Sequence, residues 1–138
     1  MSNAAVLAGL KSLAAGFANP IYWPGEKITP PEPPSAYVWA EVNGLGADLL
    51  GIGMQSLSAR HGFVRFHILD AYGDSTEGQV AISDTLAALY GMLVNAAGVQ
   101  GLNTFEPTPP ETGAQSDDGL WFGVSISVPF VYWAGATA

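Results

Sequence analysis

Residues 60–99 constrain the fold most, because they read as one strand followed by one amphipathic helix. Residues 61–68 alternate in polarity and are rich in β-branched and aromatic side chains, which predicts a strand. After a turn, apolar residues recur at spacings of three and four from Ile82 to Ala97, which predicts a helix that Gly98 closes. A helix with one apolar face needs a sheet to pack on, so the rest of the chain is expected to supply that sheet.

Four further segments have the patterns of regular elements. Residues 4–17 have helical spacing, residues 36–43 form an apolar strand, residues 102–106 a short strand, and residues 120–133 a long strand with clean alternation. Together these elements predict an α+β fold. Its single, mainly antiparallel or mixed sheet has about four to five strands, with two helices packed on one face.

The irregular segments are expected to belong to one domain that covers residues 1–138. Repeated prolines predict that residues 19–35 form an extended Pro-rich arm. The arm either packs over its own domain or reaches a neighbouring subunit, and the sequence leaves both open. Residues 44–59 are predicted to be a Gly-rich hairpin loop, and residues 107–118 a polar loop.

The composition is unusually poor in charge, with 12% charged and 49% hydrophobic residues. A surface with so little charge is expected to be covered in part by neighbours, which favours an oligomer. The net charge is −8 with only four basic residues, which argues against specific binding of DNA or RNA. The sequence lacks an apolar run long enough to span a membrane, so no membrane association is predicted.

The candidate chemical groups do not form a recognisable catalytic or metal site. His61 and His67 would share a strand face but lie about 20 Å apart, too far to hold one ion. No serine stands in a nucleophile elbow, and Asp117 and Asp118 fit ordinary turn chemistry beside a glycine. We therefore predict no catalytic residue, cofactor or metal site, while an enzyme with an unmarked site stays open at this point.

The tryptophans are the candidate residues for a subunit interface, because aromatic side chains are enriched at the centre of such contacts. The four candidates are Trp23, Trp39, Trp121 and Trp133. Ordinary core packing is the alternative for each of them, and the sequence does not choose between the two.

Three motifs follow one another along the chain in a distinctive order. They are residues 37–42, then residues 60–68 with a Gly/Asp turn and the amphipathic helix, and then Asp118-Gly119 opening a strand that ends in Val128-Pro129-Phe130. This order resembles the tail terminator, or tail completion, family of long-tailed bacteriophages and related small phage proteins of unassigned function. The resemblance extends over residues 30–133.

The resemblance implies a virion structural protein without enzymatic activity or cofactor. Members form a ring, usually a hexamer, at the head-proximal end of the tail tube. The implied partners are further copies of the chain, the tail tube protein and the head–tail connector protein, while DNA passes the lumen without specific binding. The implied location is the virion tail or neck, after assembly in the host cytoplasm. A different neck or connector subunit, and a small-molecule or peptide-binding α+β module, remain alternatives.

Overall fold

The structure is a computed structural model, and it describes residues 3–29, 36–44, 58–71, 76–115 and 121–134. The described chain has an α+β fold, as predicted. In chain order its elements are α1 (Asn3–Ser12), β1 (Ile21–Tyr22), β2 (Tyr37–Asn43), β3 (Ser58–Ala71), α2 (Thr76–Tyr90), a 3-10 turn (Ala96–Gly98), β4 (Asn103–Thr104), β5 (Glu111–Gln115) and β6 (Trp121–Ala134).

The strands form one mixed sheet in the order β1-β2-β3-β6-β4, and β5 also pairs with β6. Only the pairing of β1 with β2 is parallel; the other described pairs are antiparallel. Strands β3 and β6 are 14 residues each and pair along their whole length, from Ser58↔Ala134 to Ala71↔Trp121. This long central pair is the frame on which the other strands are arranged.

The hydrophobic core lies between one face of the sheet and the two helices, which confirms the predicted layering. Alternation places Val64, Phe66 and Ile68 of β3 on this inner face, where each is at most 1% exposed. The core also contains residues of both helices and of the neighbouring strands, namely Val6, Leu10, Val38, Ala40, Leu86, Tyr90, Ile126, Val128, Phe130 and Tyr132.

Two polar contacts fix α2 in this layer. The Tyr90 hydroxyl donates to the Leu10 carbonyl of α1 at 2.6 Å, and burial raises the pKa of Tyr90. The buried amide of Gln79 donates to the carbonyls of Ile68 on β3 and Phe122 on β6, at 2.9 and 2.7 Å. The helix is therefore held at both ends by hydrogen bonds as well as by apolar packing.

Both helices end earlier than the sequence pattern predicted. Helix α1 stops at Ser12 rather than residue 17, because the next amides bond three residues back instead of four. Helix α2 stops at Tyr90 rather than near residue 97. Beyond it Met92 and Asn95 have positive φ, and the Leu93 amide donates to the Thr104 hydroxyl. Leu93 still packs against the core, so the apolar spacing continued past the helix end.

Three predicted irregular segments also differ from the structure. Residues 111–115, which were predicted as part of the polar loop, form β5. This strand pairs with β6 at the margin of the sheet, where its side chains can be polar. Residues 58 and 59 belong to β3, and residues 45–57 of the predicted hairpin loop lie outside the described residues. No free arm is observed in residues 19–29, which pair with β2 through β1; residues 30–35 lie outside the described part.

Candidate functional site

The face of β2, β3 and β6 that points away from the helices, here called the outer face, carries no helix in the described part of the chain. Both helices lie on the inner face, where their buried residues join the core. Alternation places the other side chains of the three strands on the outer face, among them Trp39, Glu41, Phe63, Arg65, His67, Ser125, Ser127 and Val131. An antiparallel sheet can leave one face in contact with water, so the side chains of the outer face are open to solvent or to a partner.

Exposed apolar side chains concentrate on this face. The described residues contain seven large apolar side chains that are exposed, and Ile28 alone lies away from the outer face and its margin. The other six are Trp39, Phe63, Met92, Val94, Phe105 and Trp133, with exposed fractions from 36% to 79%. Six of the seven exposed large apolar side chains of the described residues therefore lie on one side of the sheet or at its margin.

Met92, Val94 and Phe105 extend the outer face beyond β4. The Met92 amide donates to the Phe105 carbonyl at 3.2 Å, and the Phe105 amide donates to the Pro129 carbonyl at 3.0 Å. These bonds place the segment of Met92 beside Phe105, and Phe105 beside β6. Leu93 packs inward against the core, while its two neighbours are exposed.

We call this set of neighbouring side chains the apolar strip. It crosses the sheet from Phe63 of β3, which is paired with Pro129, to Phe105, and it extends along β6. Its members are Phe63, Met92, Val94, Phe105, Pro129, Val131 and Trp133. None of these seven side chains carries a charge.

The remainder of the outer face is polar and is organised around His67. Its Nε2 lies 3.1 Å from Oε1 of Glu41, and its Nδ1 lies 2.9 Å from Oγ of Ser125. A carboxylate only accepts hydrogen bonds, so Nε2 donates to Glu41. The Trp39 ring stacks on the imidazole, with centroids 4.6 Å apart.

This Ser–His–Glu arrangement has the contacts of a catalytic triad, but its serine lies inside the sheet. Ser125 is 7% exposed and lies within β6, paired on one side with His67 and on the other with Glu111. Backbone amides of a strand that is paired on both sides form the hydrogen bonds of the sheet. An oxyanion hole instead needs donors that point at a reacting oxygen. We therefore interpret the network as a structural one that orients His67 and Trp39.

The network makes one pH dependence testable. The hydrogen bond from His67 holds the pKa of Glu41 below its ordinary value near 4.5, so the folded protein binds this proton more weakly than the unfolded chain. The resulting stabilisation is present above the unfolded pKa and is lost as the pH falls through the folded one. We expect Glu41→Gln to lower the melting temperature at pH 7, with the difference shrinking as the pH falls below the unfolded pKa.

Thermal denaturation of Glu41→Gln and of the wild type at both pH values measures this effect. Glu106→Gln is the control, because Glu106 is exposed and lies outside the network. A deficit of Glu41→Gln that is as large at pH 3 as at pH 7 would show that the carboxylate charge is not responsible.

The four tryptophans occupy different environments. Trp39 and Trp133 are exposed on the outer face, at 37% and 47%, and Trp121 is half-buried with its ring edge-to-face against Tyr37. Trp23 is 6% exposed and packs edge-to-face on Phe66 in the core. Trp23 therefore packs within its own domain, which is one of the two alternatives predicted for residues 19–35.

A second apolar surface lies in the helix layer, on the other side of the molecule. A groove of about 470 Å³ runs between the turn after α1 and the exposed side of α2. Its lining contains no charged residue and consists of Gly16, Phe17, Ala18, Asn19, Ala81, Ile82, Thr85 and Leu89. We call this surface the helix-layer groove.

The described residues contain no cluster of three or more His, Asp and Glu side chains that could bind a metal ion. Among the same residues, no helix is long and apolar enough to cross a membrane.

Comparison with known proteins supports the fold. No protein-family model matches the chain, and no curated protein matches it. One solved structure, of a protein designated only by a sequence identifier, superposes with a TM-score of 0.64 and 21% identity. The match covers 100% of this chain and 99% of the other. This α+β arrangement therefore occurs as a complete unit in another protein.

Proposed function

We propose that this chain is a structural subunit of a bacteriophage virion. In this proposal its copies form a ring, a hexamer by the family resemblance, at the head-proximal end of the tail tube. The ring ends tube polymerisation and presents a surface to the head–tail connector protein. The observation that carries the proposal is the apolar strip, a large uncharged surface that only a partner would remove from water.

The charge of the chain supports the same proposal. With a net charge of −8, the subunit offers DNA little attraction, which suits a channel that the genome must traverse without sticking. Acidic subunits repel one another where their carboxylates come close. Contact through the apolar strip, which carries no charge, keeps carboxylates out of that contact. The order of the motifs in residues 30–133 resembles that of the tail terminator family, and this resemblance is the reason for proposing a phage tail.

The second candidate is a binding module for a small molecule or an apolar peptide. The helix-layer groove favours it, because its volume lies in the range of ligand pockets. A binding module would stay monomeric while ligand fills the groove, whereas a ring subunit associates without any ligand.

Tube capping tests the proposed function directly. Purified tail tube protein from the same phage is allowed to polymerise with and without this chain, and tube lengths are measured by electron microscopy. We expect tubes that stop growing and carry an extra ring at one end. Unchanged tube growth, with no density added at either end, would contradict the proposal.

A further inference from the structure

A ring requires two different surfaces on each subunit, because head-to-tail contacts close around an axis only when one surface binds the other. The apolar strip is one such surface, and the helix-layer groove is the second. The strip lies on the outer face of the sheet, while the groove lies in the layer that covers the inner face. The two surfaces therefore point in different directions, as successive contacts in a ring must.

We propose that the apolar strip of one copy docks in the helix-layer groove of the next copy. This inference rests on the proposed function and names the surfaces through which the ring forms. Each of the two surfaces is then covered by a neighbouring copy of the same chain. Phe105 and Trp133 are the side chains best placed to enter the groove, because they are the most exposed aromatic members of the strip.

Charge favours a second copy as the occupant. The subunit carries −8, so two copies repel wherever their acidic residues approach. The strip and the groove both lack charged residues, so their contact places no acidic side chain at its centre. Uncharged centres with aromatic anchors are typical of stable protein interfaces.

The size of the two surfaces agrees with a subunit contact. The exposed strip residues present on the order of 500 Å² of apolar surface, near the upper limit for a monomer. One side of a standard interface buries about 800 Å², so the strip would supply more than half of it. The groove, at about 470 Å³, has a volume in the range of pockets that hold apolar ligands.

Three variants that each add one negative charge at a solvent-accessible position test the proposal. Phe105→Glu alters the strip, and Thr85→Glu alters the groove at an exposed position of α2. Ile28→Glu is the matched control, because Ile28 is an exposed large apolar residue that lies away from the outer face, the strip and the groove. Circular dichroism and melting temperature establish that each variant is folded.

We expect sedimentation velocity to show at least a tenfold rise in the half-assembly concentration for Phe105→Glu and for Thr85→Glu. The Ile28→Glu control should stay within threefold of the wild type. An equimolar mixture of the two impaired variants should regain a dimer and nothing larger. The intact strip of Thr85→Glu then binds the intact groove of Phe105→Glu, while their altered surfaces prevent further growth.

Other outcomes would overturn the inference in distinguishable ways. Normal assembly of Thr85→Glu would exclude the groove as the acceptor and leave the proposed ring standing. Equal loss in all three variants would show that added charge alone prevents association. A wild-type chain that stays monomeric at every concentration would count against the docking contact and the proposed function together. Trp133→Glu and Ala81→Glu repeat the strip and groove tests if either first variant fails to fold.

Discussion

Replacing Gln79 with glutamate is expected to destabilise the fold by about 3–5 kcal/mol at neutral pH, the cost of leaving a buried charge without compensation. Gln79 is 2% exposed, and its amide donates to the carbonyls of Ile68 and Phe122. An ionised carboxylate is an acceptor only, so both donated bonds would be lost and two carbonyl oxygens would face the anion. The shape of the side chain is unchanged, which isolates the effect of the charge.

The loss should depend on pH in a defined direction. Burial raises the pKa of the introduced carboxyl in the folded protein above its unfolded value of about 4.3. Between the two pKa values the folded protein binds more protons, so stability falls as the pH rises. Urea denaturation of Gln79→Glu at pH 4 and pH 7 measures this dependence, with Gln100→Glu as the control at an exposed position. Equal stability of Gln79→Glu at both pH values would contradict the hydrogen-bonded role of Gln79.

Gly62→Ala is expected to cost about 3 kcal/mol, at the upper end for an added methyl group in a packed site. A Cβ at Gly62 would overlap the backbone carbonyl oxygen of Asn43 and the ring of Phe130. The ring belongs to the core and the carbonyl to β2, so neither can move without disturbing the sheet. The absence of a side chain at Gly62 is what lets β2 end close against β3.

Thermal denaturation measures this cost, and we expect a decrease in melting temperature of about 10 °C for a domain of this size. Gly78→Ala is the matched control, because it lies in α2 and its added Cβ would meet no atom within 4 Å. Alanine is the better helix former, so the control should keep or slightly raise the stability. A Gly62→Ala variant as stable as the wild type would show that β2 and β3 can separate at this point.

The sheet could be predicted from the sequence where two-residue alternation is strong. Residues 61–68 and 120–133 alternate over many positions, and they became the central pair β3 and β6. The prediction that Phe66 and His67 lie on opposite faces of β3 is also confirmed, because Phe66 is buried in the core and His67 lies on the outer face. Strand β5 was not predictable in the same way, because an edge strand needs no apolar alternation when its neighbour supplies the pairing.

The candidate site was predictable only in part, because it depends on strand register. Trp39 and Trp133 were predicted as interface residues, and both are exposed on the outer face. The contact of His67 with Glu41 and Ser125 joins residues 26 and 58 positions apart, which no local pattern specifies. The signal that could have found Glu41 was its position on the polar face of β2.

The apolar strip was missed for a different physical reason. Leu93 and Val94 continue the apolar spacing of α2, so the predicted helix extended beyond them and included Met92. The chain instead leaves the helix after Tyr90 and pairs with the segment around Phe105. Positive φ at Met92 marks this change of direction, which tertiary contacts with β4 impose on a sequence that would otherwise remain helical.

The central claim is that copies of this chain associate through uncharged surfaces into a ring. Native mass spectrometry of the wild-type protein across a concentration series tests this claim most directly. We expect a closed species of about six subunits, the number that the family resemblance implies, without the larger open chains that form when head-to-tail contacts do not close. A dimer that does not grow with concentration would contradict it, because an isologous pair has no free surface for ring closure.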